Sequence, residues 1–391
     1  MAPLNPALAA TFAPPVMEAR RWLEGVTFPP DRPLLNVSQA APVDPPPEAL
    51  RRVIAEAALN RPEAHLYGPV LGNPDLRDAV AQEFSRGYGG QVAPAQVAIT
   101  QGCNQAFCAV MTSLAGAGDE VILPTPWYFN HKMWLDMAGV QTLPLPCGDD
   151  LLPDPDRAAV LIGPRTRAIV LVTPNNPSGA EYPAELVARF FDLAQAHGIA
   201  LVLDETYRDF DSRDGAPHDL LARPDRDRTL IQLYSFSKAY RLTGHRVGAL
   251  IAATARMAQI EKFLDTVAIS TSQLGQIGAL WGMVNLGPWL AGERAEILAR
   301  RAATETALAA LPGWRVKSVG AYFAWVEHPF AESSADLARR MVREIGVLAL
   351  PGTMFTPPDD PAGARHLRLA FANVDAAGIG QLAGRLGQLR G

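Results

Sequence analysis

Apolar and polar positions alternate in blocks through the middle of the chain. Short apolar runs at Val97–Thr100, Glu120–Leu123, Gln141–Leu145, Ala168–Thr173, Ile199–Asp204, Thr229–Tyr234 and Val247–Ala252 are separated by stretches of helical period. Runs that are apolar at consecutive positions, rather than at every second one, suit strands buried on both faces. Strands of this kind alternating with helices predict a largely parallel seven-stranded sheet between helices, an α/β architecture. Ligands of such sheets sit beyond the carboxyl ends of the strands, which directs attention to Gly102, Tyr128, Asn176, Asp204 and Lys238. Upstream, helices are expected over Glu48–Asn60 and Pro74–Arg86, flanking the glycine-containing stretch Tyr67–Gly72. Pro29, Pro30, Pro33, Pro42 and Pro45–Pro47 make the first fifty residues read as an extended arm with turns rather than packed helix. Beyond Gly287 an Ala/Leu/Arg-rich helix runs to Leu311, and strand-like pieces at Gly320–Val326 and His366–Phe371 surround a helix over Ser334–Ile345. The expected organisation is an arm over 1–47 that packs with a small domain, a large domain over 48–286, and the smaller α+β domain over 287–391.

Composition narrows the partners. With 391 residues, 48% of them hydrophobic, the chain can bury a large core. A formal charge of −5 and the scattering of Lys and Arg without a basic run argue against nucleic acid or an anionic membrane as partner, and favour a small molecule. No apolar stretch is long enough to span a bilayer. Cys103, Cys108 and Cys147 are too few and too irregularly spaced for a disulfide framework or a zinc site, and no metal is expected. Reduced thiols, and an N-terminus with no basic residue before Arg20, point to the cytoplasm.

The strongest local signal is Tyr234-Ser235-Phe236-Ser237-Lys238, a strand ending in two hydroxyls and a lysine, followed eight residues later by Arg246. The chain has only four lysines, at 132, 238, 262 and 317. A lysine amine acts as a Schiff-base nucleophile only when neutral, which burial and neighbouring cations arrange. Asp204 ends an apolar strand and could hold a proton on the ring nitrogen of a pyridoxal cofactor, or serve as a structural cap or ion-pair partner. Tyr207, three residues on, could bond the ring's phenolic oxygen, as could Asn176 in Thr173-Pro174-Asn175-Asn176-Pro177-Ser178-Gly179, a stretch that by composition is simply a turn. Glu205 should point away from Asp204 if the pleat continues. Thr100-Gln101-Gly102-Cys103-Asn104 joins a strand to a helix continuing through Leu114, whose first N–H groups could bind phosphate.

Taken in order, Tyr67-Gly68, Gly102-Cys103-Asn104, Pro126-Trp127-Tyr128, Asn176-Pro177-Ser178-Gly179, Asp204-Glu205-Thr206-Tyr207, Ser235-Phe236-Ser237-Lys238, Arg246 and Leu367-Arg368-Leu369 make the chain resemble a fold-type-I aminotransferase of classes I and II, of the aspartate aminotransferase superfamily, over nearly its whole length. The resemblance implies pyridoxal 5'-phosphate held by Lys238, and amino-group transfer from an L-amino acid to a 2-oxo acid with Lys238 as general base and acid. It implies that Tyr128 stacks on the cofactor ring. Ser235, Ser237 and Arg246 would join Gly102, Cys103 and Asn104 at the phosphate. Arg368 would take the substrate carboxylate in a bidentate fork, although an arginine in an apolar strand can also be a buried ion-pair partner. Asn176 would stand beside that carboxylate, as would Ala40, where many relatives carry glycine. Tyr67 would reach the phosphate of a neighbouring subunit, making a homodimer with shared sites.

Dicarboxylate-specific relatives place an extra cation where this chain has Asn104 and the uncharged Ser270-Thr271-Ser272, so strict aspartate specificity is not expected. Trp22, Phe28, Trp127, His131 and Phe355 are candidate walls of a side-chain pocket, or plain packing residues. The same fold and cofactor also serve β- and γ-eliminating lyases and cyclases, which is the alternative reading. A ligand-sensing module fused to a DNA-binding domain is disfavoured by the lack of a helix-turn-helix extension and of a basic stripe.

Overall fold

The computed structural model describes residues 2–390. Its strands in chain order are β1 (Leu35–Asn36), β2 (Val97–Thr100), β3 (Glu120–Thr125), β4 (Gln141–Pro146), β5 (Thr166–Val172), β6 (Ala200–Asp204), β7 (Leu230–Ser235), β8 (Gly248–Ile251), β9 (Arg315–Gly320), β10 (Phe323–Glu327), β11 (Val347–Leu348), β12 (Leu350–Pro351) and β13 (His366–Leu369). Seven of them form one sheet in the order β2-β8-β7-β6-β5-β3-β4. Only β8 runs against its neighbours β2 and β7; the other pairs are parallel. All seven expected runs are strands of this sheet, within two residues at each end. The inner strands β3, β6 and β7 are buried at every position, as helix-covered parallel strands must be, whereas the edge strand β4 is largely open to solvent.

In the C-terminal third, β12-β13-β10-β9 form an antiparallel sheet. The helix Ser334–Ile345 turns Leu337, Ala338, Met341, Val342 and Ile345 inward at the spacing of one helix face, with Ser333 capping its start. On β13, Leu367 and Leu369 enter the core beneath this sheet, and the pleat turns Arg368 the other way. The arm is bound at its far end: β1 pairs in parallel with β11, and the Ala370 N–H donates to the Val37 carbonyl at 2.8 Å. That anchorage sets Ser38–Ala41 against the carboxyl ends of the central strands.

Two expectations need correction. The first fifty residues are not uniformly extended, because Pro6–Ala10 and Pro15–Arg21 are helices. Proline at the first helical position lacks only an N–H that would have no intrahelical partner, so it starts these helices instead of preventing them. The stretch Gly320–Val326 is not one strand but the turn and second arm of a hairpin, with Ala321 at φ 44° between β9 and β10. Among the described residues no helix is long and apolar enough to cross a membrane.

The hairpin buttresses the loop after β5. Gly179 has φ 78°, and a Cβ there would lie 2.5 Å from the Gly320 backbone nitrogen. Gly179→Ala is therefore expected to destabilise the protein by roughly 2–4 kcal/mol, from left-handed strain plus a backbone clash. Denaturant unfolding of the variant beside the parent protein checks it.

Candidate active site

The carboxyl ends of β2, β5, β6 and β7 open into a cavity of about 410 Å³. At the end of β6, Asp204 is 3% exposed. Its Oδ1 accepts from the Thr206 N–H (3.1 Å) and hydroxyl (2.7 Å), and its Oδ2 lies 3.2 Å from His131 Nε2. Burial works to raise the pKa of this carboxyl, but His131 and the Thr206 donors outweigh it and hold the group below the usual carboxylate range. Asp204 is thus an anion facing the cavity. Glu205, on the opposite side of the pleat, takes hydrogen bonds from Tyr88 and Gln232, each 2.7 Å, far from the chemistry.

β7 passes into a single helical turn, Phe236–Ala239, capped by Ser235, whose hydroxyl accepts from the Ser237 N–H. This turn delivers Lys238 into the cavity, where its Nζ donates to the Ala40 carbonyl at 2.5 Å. Among the described residues no carboxylate pairs with it. Burial, followed by the nearby charges of Arg246 and Arg368, lowers its pKa to about 7, so a large fraction of the amine is neutral in neutral solution.

A cradle for an anion lies beside it. The twelve-residue helix Cys103–Leu114 begins at the cavity with no side-chain cap on its first N–H groups. Gly102 precedes it at φ 81°, and a Cβ there would fall 2.2 Å from Arg246 Nη2, so the glycine clears space for the guanidinium. Arg246 Nη1 donates to the Ser237 hydroxyl (3.4 Å) and the Thr243 carbonyl (3.1 Å). The Cys103 thiol, 3.5 Å from Asp204 Oδ1, is pushed up by burial and stays protonated.

Across the cavity, Arg368 is 2% exposed. Its Nη1 donates to Asn176 Oδ1 at 2.8 Å, its Nη2 donates to the Ser38 carbonyl, and its buried Nε has no partner. No acid balances it; the rings of Phe323 and Phe355 lie 5.0 and 4.9 Å from the guanidinium carbon. Burial lowers its pKa to about 10, so it remains charged. A buried, incompletely bonded guanidinium beside a cavity has donor capacity left for an anion.

Lys238, Asp204, Tyr207, Cys103, Asn104, Tyr128, Asn176, Ser235, Ser237, Arg246, Arg368 and Ala40 all line the one cavity, with Gly102 next to it. Tyr67 does not; it is 79% exposed on the outer surface. Trp22, Phe28, Trp127, His131 and Phe355 stay outside the cavity, and Val16, Gln39, Ala41, Phe129 and Asn130 line it instead. The Trp127 backbone N–H donates to the Phe355 carbonyl at 2.8 Å, which fixes the chain just before the helix Phe129–Met137. His131 stands behind Asp204, stacked on Phe107 with ring centroids 3.9 Å apart. Its contact with Asp204 was not read from the sequence, although its place three residues after Tyr128 puts both on one helix face. Thr206 was also missed; the Asp-x-Thr spacing is the available signal, since an Asp side chain readily bonds the backbone two residues on.

One cavity thus gathers a lysine amine, an ionised acid at a buried strand end, an arginine-flanked helix start and a guanidinium that pairs with no described acid, a set of groups able to meet an anionic, carbonyl-bearing ligand. The family model for aminotransferase class I and II matches residues 32–386, and the chain belongs to that family. Relatives include the aspartate/prephenate aminotransferase of Thermus thermophilus, 30% identical over 84% of this chain and 83% of the relative, and the arginine–pyruvate transaminase AruH of Pseudomonas aeruginosa, 31% identical over 78% and 77%. The solved aspartate aminotransferase from Thermus thermophilus with maleate superposes with a TM-score of 0.89 at 25% identity, covering 99% of this chain and all of that one. The protein is a pyridoxal-phosphate-dependent transaminase of fold type I.

Gly102→Ala should weaken cofactor retention by about tenfold or more, since the methyl displaces Arg246 and strains the turn. Equilibrium dialysis of the variant against pyridoxal phosphate measures the loss.

Proposed function

We propose that Lys238 is the covalent anchor of pyridoxal phosphate and the general base and acid of amino transfer between an L-amino acid and a 2-oxo acid, with no strict requirement for aspartate. The observation that carries this is the half-buried Lys238 amine, paired with no acid among the described residues and with its pKa lowered to about 7, in the same cavity as Asp204 and Arg368. The bound cofactor supplies an electron sink for the charge that develops at the substrate α-carbon. Asp204, kept ionised by His131 and Thr206, holds the proton on the ring nitrogen. The Cys103–Leu114 helix start from Gly102 to Asn104, together with Ser235, Ser237 and Arg246, receives the phosphate. Tyr128 would pack against the ring, and Asn176 and Tyr207 would bond its phenolic oxygen. Arg368 would fork the α-carboxylate, with Asn176 and the Ser38–Ala40 backbone closing that end, which would present the α-hydrogen to Lys238. The neutral Lys238 amine would be the group placed to take up that proton and to give it back, in either direction of the transfer.

The proposal includes a homodimer with shared sites. Tyr67 is unused by its own cavity, and the Gly68 N–H donates to Ser270 Oγ at 3.3 Å, tying two exposed stretches together. Leu59, Leu66, Val267, Ile269 and Val284 are exposed on the same connected elements, an apolar surface of the kind a subunit interface covers. Tyr67 then belongs to the partner's phosphate site. The division into an arm over 1–47, a large domain over 48–286 and a small domain over 287–391 is supported by the separate sheets and by the β1–β11 pairing. Three free thiols are in keeping with a reducing cytoplasm.

Lys238→Ala is expected to abolish both the visible absorbance of covalently held cofactor and turnover while leaving the circular dichroism spectrum unchanged; retained multiple turnover without added amine would falsify the assignment. Because the Lys238 pKa is lowered, its amine is neutral above about 7 and protonated below. The rate at which cofactor-free protein takes up pyridoxal phosphate should therefore fall as pH drops through about 7, followed as growth of visible absorbance in stopped flow. Mixing Lys238→Ala with Tyr67→Ala protomers should give turnover above the sum of the two alone, since one site of each hybrid regains both residues; sedimentation velocity should report a dimer throughout.

A further inference from the structure

What the cavity admits is decided by the charges left over once the roles above are filled, and the inference rests on that reading. The wall carries three cations, Lys238, Arg246 and Arg368, and one anion, Asp204. Lys238 is committed to the cofactor and the moving proton, Arg246 to the phosphate, Arg368 to the α-carboxylate, and Asp204 to the ring nitrogen. No charged side chain of the wall remains to meet a charge on the substrate's side chain. The rest of the wall is uncharged, and Val16, Gln39, Ala41, Asn104, Phe129 and Asn130 stand in it. The amides are already engaged with neutral or external groups. Asn130 Nδ2 donates to the Tyr128 hydroxyl (2.9 Å), which donates to Asn104 Oδ1 (3.3 Å), and Gln39 Oε1 accepts from Arg20 (2.7 Å). Arg20 is exposed and reaches the wall only through that bond.

The segments assigned above to a partner's site bring no further cation. The two stretches bound together around the exposed Tyr67, residues 66–73 and 267–273, contain no Lys or Arg. A second carboxylate, or an ammonium or guanidinium, entering this wall would give up water without gaining a counter-charge, a cost that amides only partly offset. A neutral side chain, apolar or able to bond an amide, gives up less and is met by Val16 and Phe129 as well as by the amide N–H groups of Gln39 and Asn104, which the bonds above do not use.

We infer that the site accepts amino donors with uncharged side chains and, because donor and acceptor occupy the same cavity in turn, acceptors that are 2-oxo acids with a single carboxylate. The reaction then exchanges an amino group between two monocarboxylic partners in both directions, with Arg368 as the one carboxylate receptor used by each.

The holoenzyme can be tested one half-reaction at a time. Methionine, glutamine, phenylalanine, aspartate, glutamate and arginine are each added in the absence of an acceptor, and conversion of the cofactor to its amine form is followed by absorbance. The amine form is then treated with pyruvate or with oxaloacetate, and its reversal is timed. The apparent second-order rate constant for the best uncharged donor should exceed those of aspartate, glutamate and arginine on the order of 100-fold, and pyruvate should exceed oxaloacetate by a similar factor. Any charged donor within about tenfold of the best uncharged one, or oxaloacetate within about tenfold of pyruvate, overturns the inference. If none of the six amino acids converts the cofactor, the proposed residue roles fall first and this inference with them.

Discussion

A carboxylate at the end of a buried strand is costly, and the architecture around Asp204 is arranged to keep that carboxylate charged. β6 lies in the middle of the sheet, so the acid it carries is shielded from water by strands on either side and helices above and below. Two donors from Thr206 and the edge of the His131 ring make up for the lost hydration. Phe107 in turn fixes the imidazole by stacking. Each of these partners comes from a different part of the large sheet's surroundings, so the state of one carboxylate depends on the packing of a strand, the turn after it and two helices.

Around this anion the cavity is overcharged in the opposite sense. Lys238, Arg246 and Arg368 face it without acids of their own, and none forms a salt bridge among the described residues. Such a cluster is unfavourable, as the Lys238 pKa expresses: burial lowers it first, and the charges of Arg246 and Arg368 lower it further. Anionic groups entering the cavity would relieve it. Ligand binding therefore contributes to the stability of the fold as well as to chemistry, by mass action on a state that is electrostatically incomplete alone.

How much of this could be read from the chain depended on whether a feature is local. The seven strands of the large sheet were placed within two residues because burial on both faces leaves an uninterrupted apolar run. The residues at their ends followed from the rule that ligands gather there, sharpened by a family resemblance that named Tyr128, Arg246 and Arg368. What escaped was set by tertiary contacts or by backbone conformation. The arm's helices were hidden by prolines that occupy first positions, and the β9–β10 hairpin by a left-handed Ala321 that no side-chain pattern announces. Trp22, Phe28, Trp127, His131 and Phe355 are not in the cavity wall, which includes short segments, Gln39–Ala41 and Phe129–Asn130, brought together from distant positions in sequence.

The pairing of β1 with β11 has a consequence for the order of assembly. Residues 35–36 hydrogen-bond to 347–348, more than three hundred positions later, and the Ala40 carbonyl that holds the lysine amine is set in place by that junction. On the ribosome the beginning of the polypeptide must wait, unpaired, until nearly all of its length has emerged. The central sheet can condense earlier from contacts between neighbouring segments, but the Lys238 amine meets its carbonyl only at the last long-range closure. Competence is thereby coupled to completion, and a chain interrupted before the final sheet would have a sheet-end crevice lacking its arginine and its arm.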